Sequence, residues 1–148
     1  MDTVKAALAR RWLDGAFLAQ HLSEATSLNC SGAGWGDEEV TKFAKLLSEG
    51  ALRACERLFL DGNRIGDAGC EALAAAFSKG ALPAGEELWL SENQIGDAGC
   101  EALAPALDAG ALPKCKQIFL GGNKASQQGK DAVKAAAEKR SIYAVYFR

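Results

Sequence analysis

The sequence predicts an α/β solenoid of about four repeats, with a parallel inner sheet and outer helices. Three observations carry the prediction. Leu58-Phe59-Leu60-Asp61-Gly62-Asn63 recurs as Leu88-Trp89-Leu90-Ser91-Glu92-Asn93 and as Ile118-Phe119-Leu120-Gly121-Gly122-Asn123, each time 30 residues on. Within each unit the hydrophobic period switches from 2 to 3.6, as a strand followed by a helix requires. A unit of this size cannot bury its own apolar face, whereas stacked copies bury a continuous one.

The elements follow in order. Residues 3–22 read as a capping helix, with Val4, Leu8 and Trp12 at helical spacing. Each strand alternates, so Leu58 and Leu60 face the helices and Phe59 faces outward. Asn63 stands at the turn, where its amide can bond backbone groups left unpaired by the bend. Asp67 is expected to cap the helix that follows, and Glu71 suits the dipole at that end. Cys70, Leu73, Ala74 and Phe77 form the apolar stripe, Gly80 supplies the left-handed stop, and Pro83 prevents continuation. Ile65-Gly66-Asp67-Ala68-Gly69-Cys70 returns unchanged as Ile95-Gly96-Asp97-Ala98-Gly99-Cys100. A worn copy one period earlier keeps Leu28, Cys30, Trp35, Gly36 and Asp37 in register. Pro105 is expected to bend the third helix. Ser126 can cap a last helix reaching about Arg140, and Ile142 aligns with Leu52, Leu82 and Leu112. The ending Ile142–Phe147 reads as a shortened strand, with Val145 and Phe147 inward and Ala144 and Tyr146 outward. One domain spans 1–148: a cap at 1–24, repeats at 25–54, 55–84, 85–114 and 115–141, and a terminal strand at 142–148.

The pattern Cys55-x-x-Leu58-x-Leu60-x-x-Asn63-x-Ile65-Gly66-Asp67-x-Gly69 resembles the leucine-rich repeat of the ribonuclease-inhibitor type. That class includes the arrays of NOD-like receptors and of Ran GTPase-activating proteins. The resemblance covers about residues 25–148 and implies a curved α/β solenoid that binds other proteins and carries no chemistry of its own. Gly85 departs from it, standing where Cys55 and Cys115 stand. The same resemblance implies a second reading, regulation of a small GTPase.

Composition narrows the function classes. The 148 residues carry a net charge of −2, so no global field points at nucleic acid or anionic lipid. No apolar run approaches the roughly 20 residues of a membrane-spanning helix, so no membrane insertion is expected. The first residues interleave charge with apolar groups and do not read as a secretory signal. Five cysteines, odd in number and not in close pairs, argue for a reducing intracellular compartment such as the cytoplasm.

The motifs that mimic catalytic ones have plainer readings. Gly32-Ala33-Gly34-Trp35-Gly36 has the look of a phosphate loop, but Asp37, Glu38 and Glu39 would set negative charge against the anion. Cys30, Cys55, Cys70, Cys100 and Cys115 fall on inward repeat positions, spread along rows and not converging as zinc requires. His21, the single histidine, has no neighbouring partner that marks it as a base or ligand. No nucleophile elbow or paired-carboxylate motif is present. The expectation is a protein that is not an enzyme and takes neither cofactor nor metal.

The informative feature is the sheet's open face. If the leucines point inward, Phe59, Trp89 and Phe119 form an outward row on adjacent strands about 4.8 Å apart, with Tyr146 at its end. Arg57, Asp61, Glu87, Ser91, Glu92 and Gln117 supply a polar rim. Contiguous exposed aromatics mark interaction surfaces, and the expected partner is a protein. Charge is also uneven: residues 113–148 carry +6 and the rest −8. The basic end favours an acidic partner over nucleic acid, for which no binding module is present. The last strand leaves an edge that a partner strand or a second copy could pair with.

Overall fold

The computed structural model describes residues 24–146 of the chain. Strands and helices alternate throughout: β1 (Ser27–Asn29), α1 (Asp37–Ser48), β2 (Arg57–Phe59), α2 (Asp67–Ser78), β3 (Glu87–Trp89), α3 (Asp97–Asp108), β4 (Gln117–Phe119), α4 (Gln127–Lys139) and β5 (Tyr143–Tyr146). The strands form one parallel sheet in the order β1-β2-β3-β4-β5. Register is kept across it, with Leu28, Leu58, Leu88 and Ile118 side by side. The expected capping helix at 3–22, with Trp12 and His21, lies outside the described residues.

The core lies between sheet and helices, and the two periods build it jointly. Leu58, Leu60 and Ile65 come from the strand and turn, and Cys70, Leu73 and Phe77 from the helix stripe; all are buried. The next repeat contributes Leu88, Leu90, Ile95, Cys100, Leu103 and Leu107 at the same places. In the first repeat the larger Trp35, 1% exposed and 5.2 Å from the ring of Phe43, stands where the next two have isoleucine and the last has Ala125.

Two polar ladders join one repeat to the next. Asn93, buried at the turn, donates through Nδ2 to the carbonyls of Leu60 (3.0 Å), Leu90 (3.1 Å) and Ser91 (3.1 Å). Its Oδ1 accepts the Ile65 amide at 3.0 Å. Asn63 and Asn123 repeat the pattern. The second ladder corrects the expected helix caps. Asp67 does not cap its own helix: Gly66 is the N-cap, and Asp67 is the first helical residue. Its Oδ1 instead accepts the amides of Gly96 and Gly99, both at 2.8 Å, at the start of the following helix. Asp37 does the same for Gly66 and Gly69, and Asp97 for Ser126 and Gly129. Ser126 stands at the N-cap of α4, but its hydroxyl donates to Asp97 Oδ2 at 2.6 Å and not to its own helix. The approach explains the glycine that α2, α3 and α4 share at their third residue, where α1 has Glu39. A Cβ on Gly69 would lie 2.7 Å from Asp37 Oδ1, and one on Gly129 2.5 Å from Asp97 Oδ1.

The last repeat departs from expectation in three ways. Helix α3 runs unbroken through Pro105, which sits on the exposed side and loses only its own amide bond. Helix α4 has 13 residues where the others have 12. Ile142 therefore does not match Leu112. Its amide reaches back to the Ala137 carbonyl at 2.9 Å, as Ala111 reaches to Ala106, so Ile142 takes the place of Ala111. The chain then enters β5 directly. There Gln117 pairs with Tyr143 and Phe119 with Tyr146, an extra residue being accommodated by a bulge. The regular alternation expected across Ile142–Phe147 is thus broken, and Phe147 lies outside the described residues.

Candidate functional site

The open face of the sheet is built by the residue on either side of each inward leucine. On one side stand Ser27, Arg57, Glu87 and Gln117; on the other stand Asn29, Phe59, Trp89 and Phe119. The three aromatic rings are partly exposed and in contact. Phe59 and Trp89 lie 5.5 Å apart at 31°, and Trp89 and Phe119 stack at 3.8 Å and 21°. Tyr146 occupies the register position beside Phe119. Such pairing contributes about 0.5–1.5 kcal/mol per contact beyond burial.

Polar groups hold the row in place. The Glu87 carboxylate accepts the Trp89 indole N–H at 3.2 Å through Oε1 and the Arg57 guanidinium at 2.9 Å through Oε2. This fixes the indole and ties β2 to β3, although the exposed ion pair alone contributes about 0–1 kcal/mol. At the far end of the strands, Asp61 Oδ1 accepts the Ser31 hydroxyl at 2.8 Å. Ser91 is partly exposed there. Glu92 is exposed and takes φ 55°, at the turn position where Gly32, Gly62 and Gly122 have φ 63°, 69° and 76°. Its carboxyl group lies over Gly122, where a Cβ would approach it to 2.5 Å. All of Phe59, Trp89, Phe119, Arg57, Asp61, Glu87 and Ser91 therefore fall on this face or its rim.

Two participants escaped the reading by residue type. Asn29 continues the aromatic row into β1, and Ser31 continues the Asp61 rim; a step of 30 residues back from Phe59 and Asp61 finds both. The basic end is also less free than its charge suggests. Arg140 donates to the carbonyls of Leu107 (3.0 Å), Leu112 (2.9 Å) and Ala111, closing the C-terminal end of the preceding helix. Lys116 pairs with Glu86 at 3.0 Å and Lys139 with Asp108 at 3.7 Å.

The glycine-rich stretch 32–36 is occupied from within. Gly36 donates its amide to Glu39 Oε1 at 2.9 Å, and Asp37 is committed to the next helix. Four of the five cysteines are buried, whereas Cys115 is partly exposed, short of the burial its repeat position implies. Burial pushes the thiols of Cys55, Cys100 and Cys115 up to about 11 and raises that of Cys70 as well. Among the described residues, no three His, Cys, Asp or Glu side chains converge as metal ligands. Among them, too, no helix is long and apolar enough to cross a membrane.

Comparisons with known proteins agree with this geometry. Residues 56–74 and 86–104 match the family model described as leucine-rich repeat. No curated protein matches in sequence. Among solved structures, leiomodin-1 actin-binding site 2 superposes with a TM-score of 0.71 at 14% identity, over 99% of this chain and 78% of that one. An internalin of Listeria monocytogenes superposes with a TM-score of 0.40 at 12% identity, over 82% of this chain and 40% of its own. The two matched segments are leucine-rich repeats, and the parallel sheet and outer helices carry the same repeat architecture through the described residues.

Proposed function

We propose that the chain is a protein-binding module without catalytic activity of its own, acting as an adaptor or as a fixed subunit of a larger assembly. Its contact surface is the aromatic row Phe59, Trp89 and Phe119, with Arg57, Asp61, Glu87, Ser91 and Tyr146 around it. The observation that carries the reading is the fixed, partly exposed stack itself. Two rings 3.8 Å apart, one of them anchored by Glu87, present a rigid aromatic surface whose ordering cost is met before a partner arrives. Stabilising a sheet requires no such surface toward solvent, whereas binding hot spots are enriched in tryptophan. A fold of this shape is named an actin-binding site in leiomodin-1, which supports the class of function and not the partner.

The test is affinity capture from the native source with the wild-type chain, Trp89→Ala, and Glu71→Arg on the exposed helix side. Partners lost with Trp89→Ala and kept with Glu71→Arg support the surface, provided both variants melt cooperatively. Equal recovery by all three sinks it.

A further inference from the structure

The aromatic row differs at its two ends. Trp89 is flanked by rings on both sides, and Phe119 has Tyr146 at its register position on β5. Phe59 has a described ring neighbour only on the β3 side. On the β1 side its register partner is Asn29, an exposed residue with a short polar side chain. The ring planes lie within 31° and 21° of their neighbours, so their faces are turned along the row. The free face of Phe59 is therefore directed over Asn29.

A carboxylate that pairs with no cation among the described residues follows Phe59 just past the end of β2. Asp61, two residues further along the same strand side, accepts only the Ser31 hydroxyl through its side chain. The nearby cations are committed elsewhere: Arg57 to Glu87 at 2.9 Å, and Arg64 to the Gly34 carbonyl at 3.0 Å. An open aromatic face next to an unneutralised carboxylate matches a planar, weakly hydrated cation.

We propose that this end of the row takes an arginine side chain from an extended segment of the partner protein. Its guanidinium lies flat on Phe59 above Asn29 and pairs with Asp61. The proposal rests on the row being the partner-binding surface, and it specifies the chemistry that surface selects. An acidic segment would meet the Asp61 carboxylate, and an apolar one would bury it without a partner. Lysine offers a compact, strongly hydrated charge and cannot lie flat on the ring.

The probes are two synthetic heptapeptides: Ser-Gly-Arg-Gly-Arg-Gly-Ser and its analogue with citrulline, a neutral isostere, at both arginine positions. Each is titrated into the full chain labelled with ¹⁵N. The arginine peptide is expected to shift the Asn29 side-chain amide and the Ser31 and Asp61 backbone amides. It should bind about threefold or more tightly than the citrulline peptide, the scale of one exposed cation–π contact or ion pair. Asp61→Asn keeps an oxygen for the Ser31 hydroxyl and should abolish that preference; Phe59→Leu should weaken the arginine peptide. Equal binding of the two peptides, shifts confined to other residues, a preference that survives Asp61→Asn, or no binding at all overturns the proposal. If Trp89→Ala loses captured partners while arginine shows no preference, the surface reading stands and the arginine slot falls. If capture ignores Trp89, the surface reading itself has failed.

Discussion

Replacing Asn93 by alanine tests the ladder that sets the strand register. The amide of Asn93 serves four backbone groups, but not all are equally dependent on it. The Leu60 carbonyl also accepts from Asn63 Nδ2 at 3.0 Å, and the Leu90 carbonyl from Asn123 Nδ2 at 2.9 Å. The Ile65 amide has no other acceptor, so alanine leaves a buried N–H orphaned. An orphaned buried donor costs about 1–3 kcal/mol, and each bond that leaves its acceptor partly served costs about 0.5–1. The total is about 3 kcal/mol, which for a chain of this size lowers Tm by about 6–12 °C. Asn123 makes the same kind of bonds at a partly exposed position, so Asn123→Ala should cost less, about 1–2 kcal/mol. Asn93→Asp should be no better than alanine at neutral pH, because a carboxylate can accept from Ile65 but sets its charge against three carbonyls. The assay is urea unfolding followed by circular dichroism, with the slope compared alongside the midpoint. A cost below 1 kcal/mol for Asn93→Ala at unchanged slope would refute the reasoning, and so would a larger cost for Asn123→Ala.

Two further outcomes follow from the same bonding. Arg140→Ala removes a charged donor from three carbonyls and should cost about 2 kcal/mol; Arg140→Lys should recover less than half, since an ammonium cannot span the Leu107, Ala111 and Leu112 carbonyls together. A lysine variant as stable as wild type contradicts the clamp. The buried thiols should react slowly with a disulfide reagent at pH 8 and at once on unfolding. Their folded values are raised to about 11 for Cys55 and Cys100, from 9.0, because burial favours the neutral thiol. Their contribution to stability is therefore complete below about pH 9 and lost as pH rises toward 11. A falling urea midpoint over that interval, reduced in a Cys55→Ala, Cys100→Ala variant, checks the sign; a flat midpoint or rapid native labelling of several thiols contradicts the burial.

The period and the inward positions were legible because they are written in side-chain type: alternating leucines, then an apolar stripe, every 30 residues. The aromatic row followed from the same alternation, since a residue between two inward leucines has only one other side to face. The direction of a polar bond was not legible in that way. Asp67 carries the residue type of an N-cap at the start of a helix, and only the stacking distance makes the next repeat's amides its nearer donors. The end of the chain was obscured for a different reason. One additional helical residue shifts everything after it, so Ile142 falls beside Ala111 and not Leu112, and no residue type in 139–142 announces the extra turn position. Arg140 entered the sequence reading only as the approximate end of the last helix and through the +6 charge of residues 113–148, because its acceptors are backbone carbonyls, which no sequence pattern marks.

The direction of these bonds bears on the candidate site. Asn93 divides its hydrogen bonds equally between the neighbouring repeat and its own, and Asp67 places both of its side-chain bonds on the next repeat, about 30 residues away. Stability in such an array resides in the interfaces between repeats, so a repeat is ordered chiefly by the one beside it. The aromatic row runs across those interfaces: Phe59, Trp89 and Phe119 belong to three successive repeats. Stacking at 3.8 Å tolerates little slip between β3 and β4, and Asn123 and Asp97 pin the two repeats together on either side of the turn. A substitution that loosens either ladder should therefore disperse the rings before it unfolds the sheet. The exposed face depends for its shape on the buried Asn63 and Asn93 and on the partly buried aspartates of the second ladder.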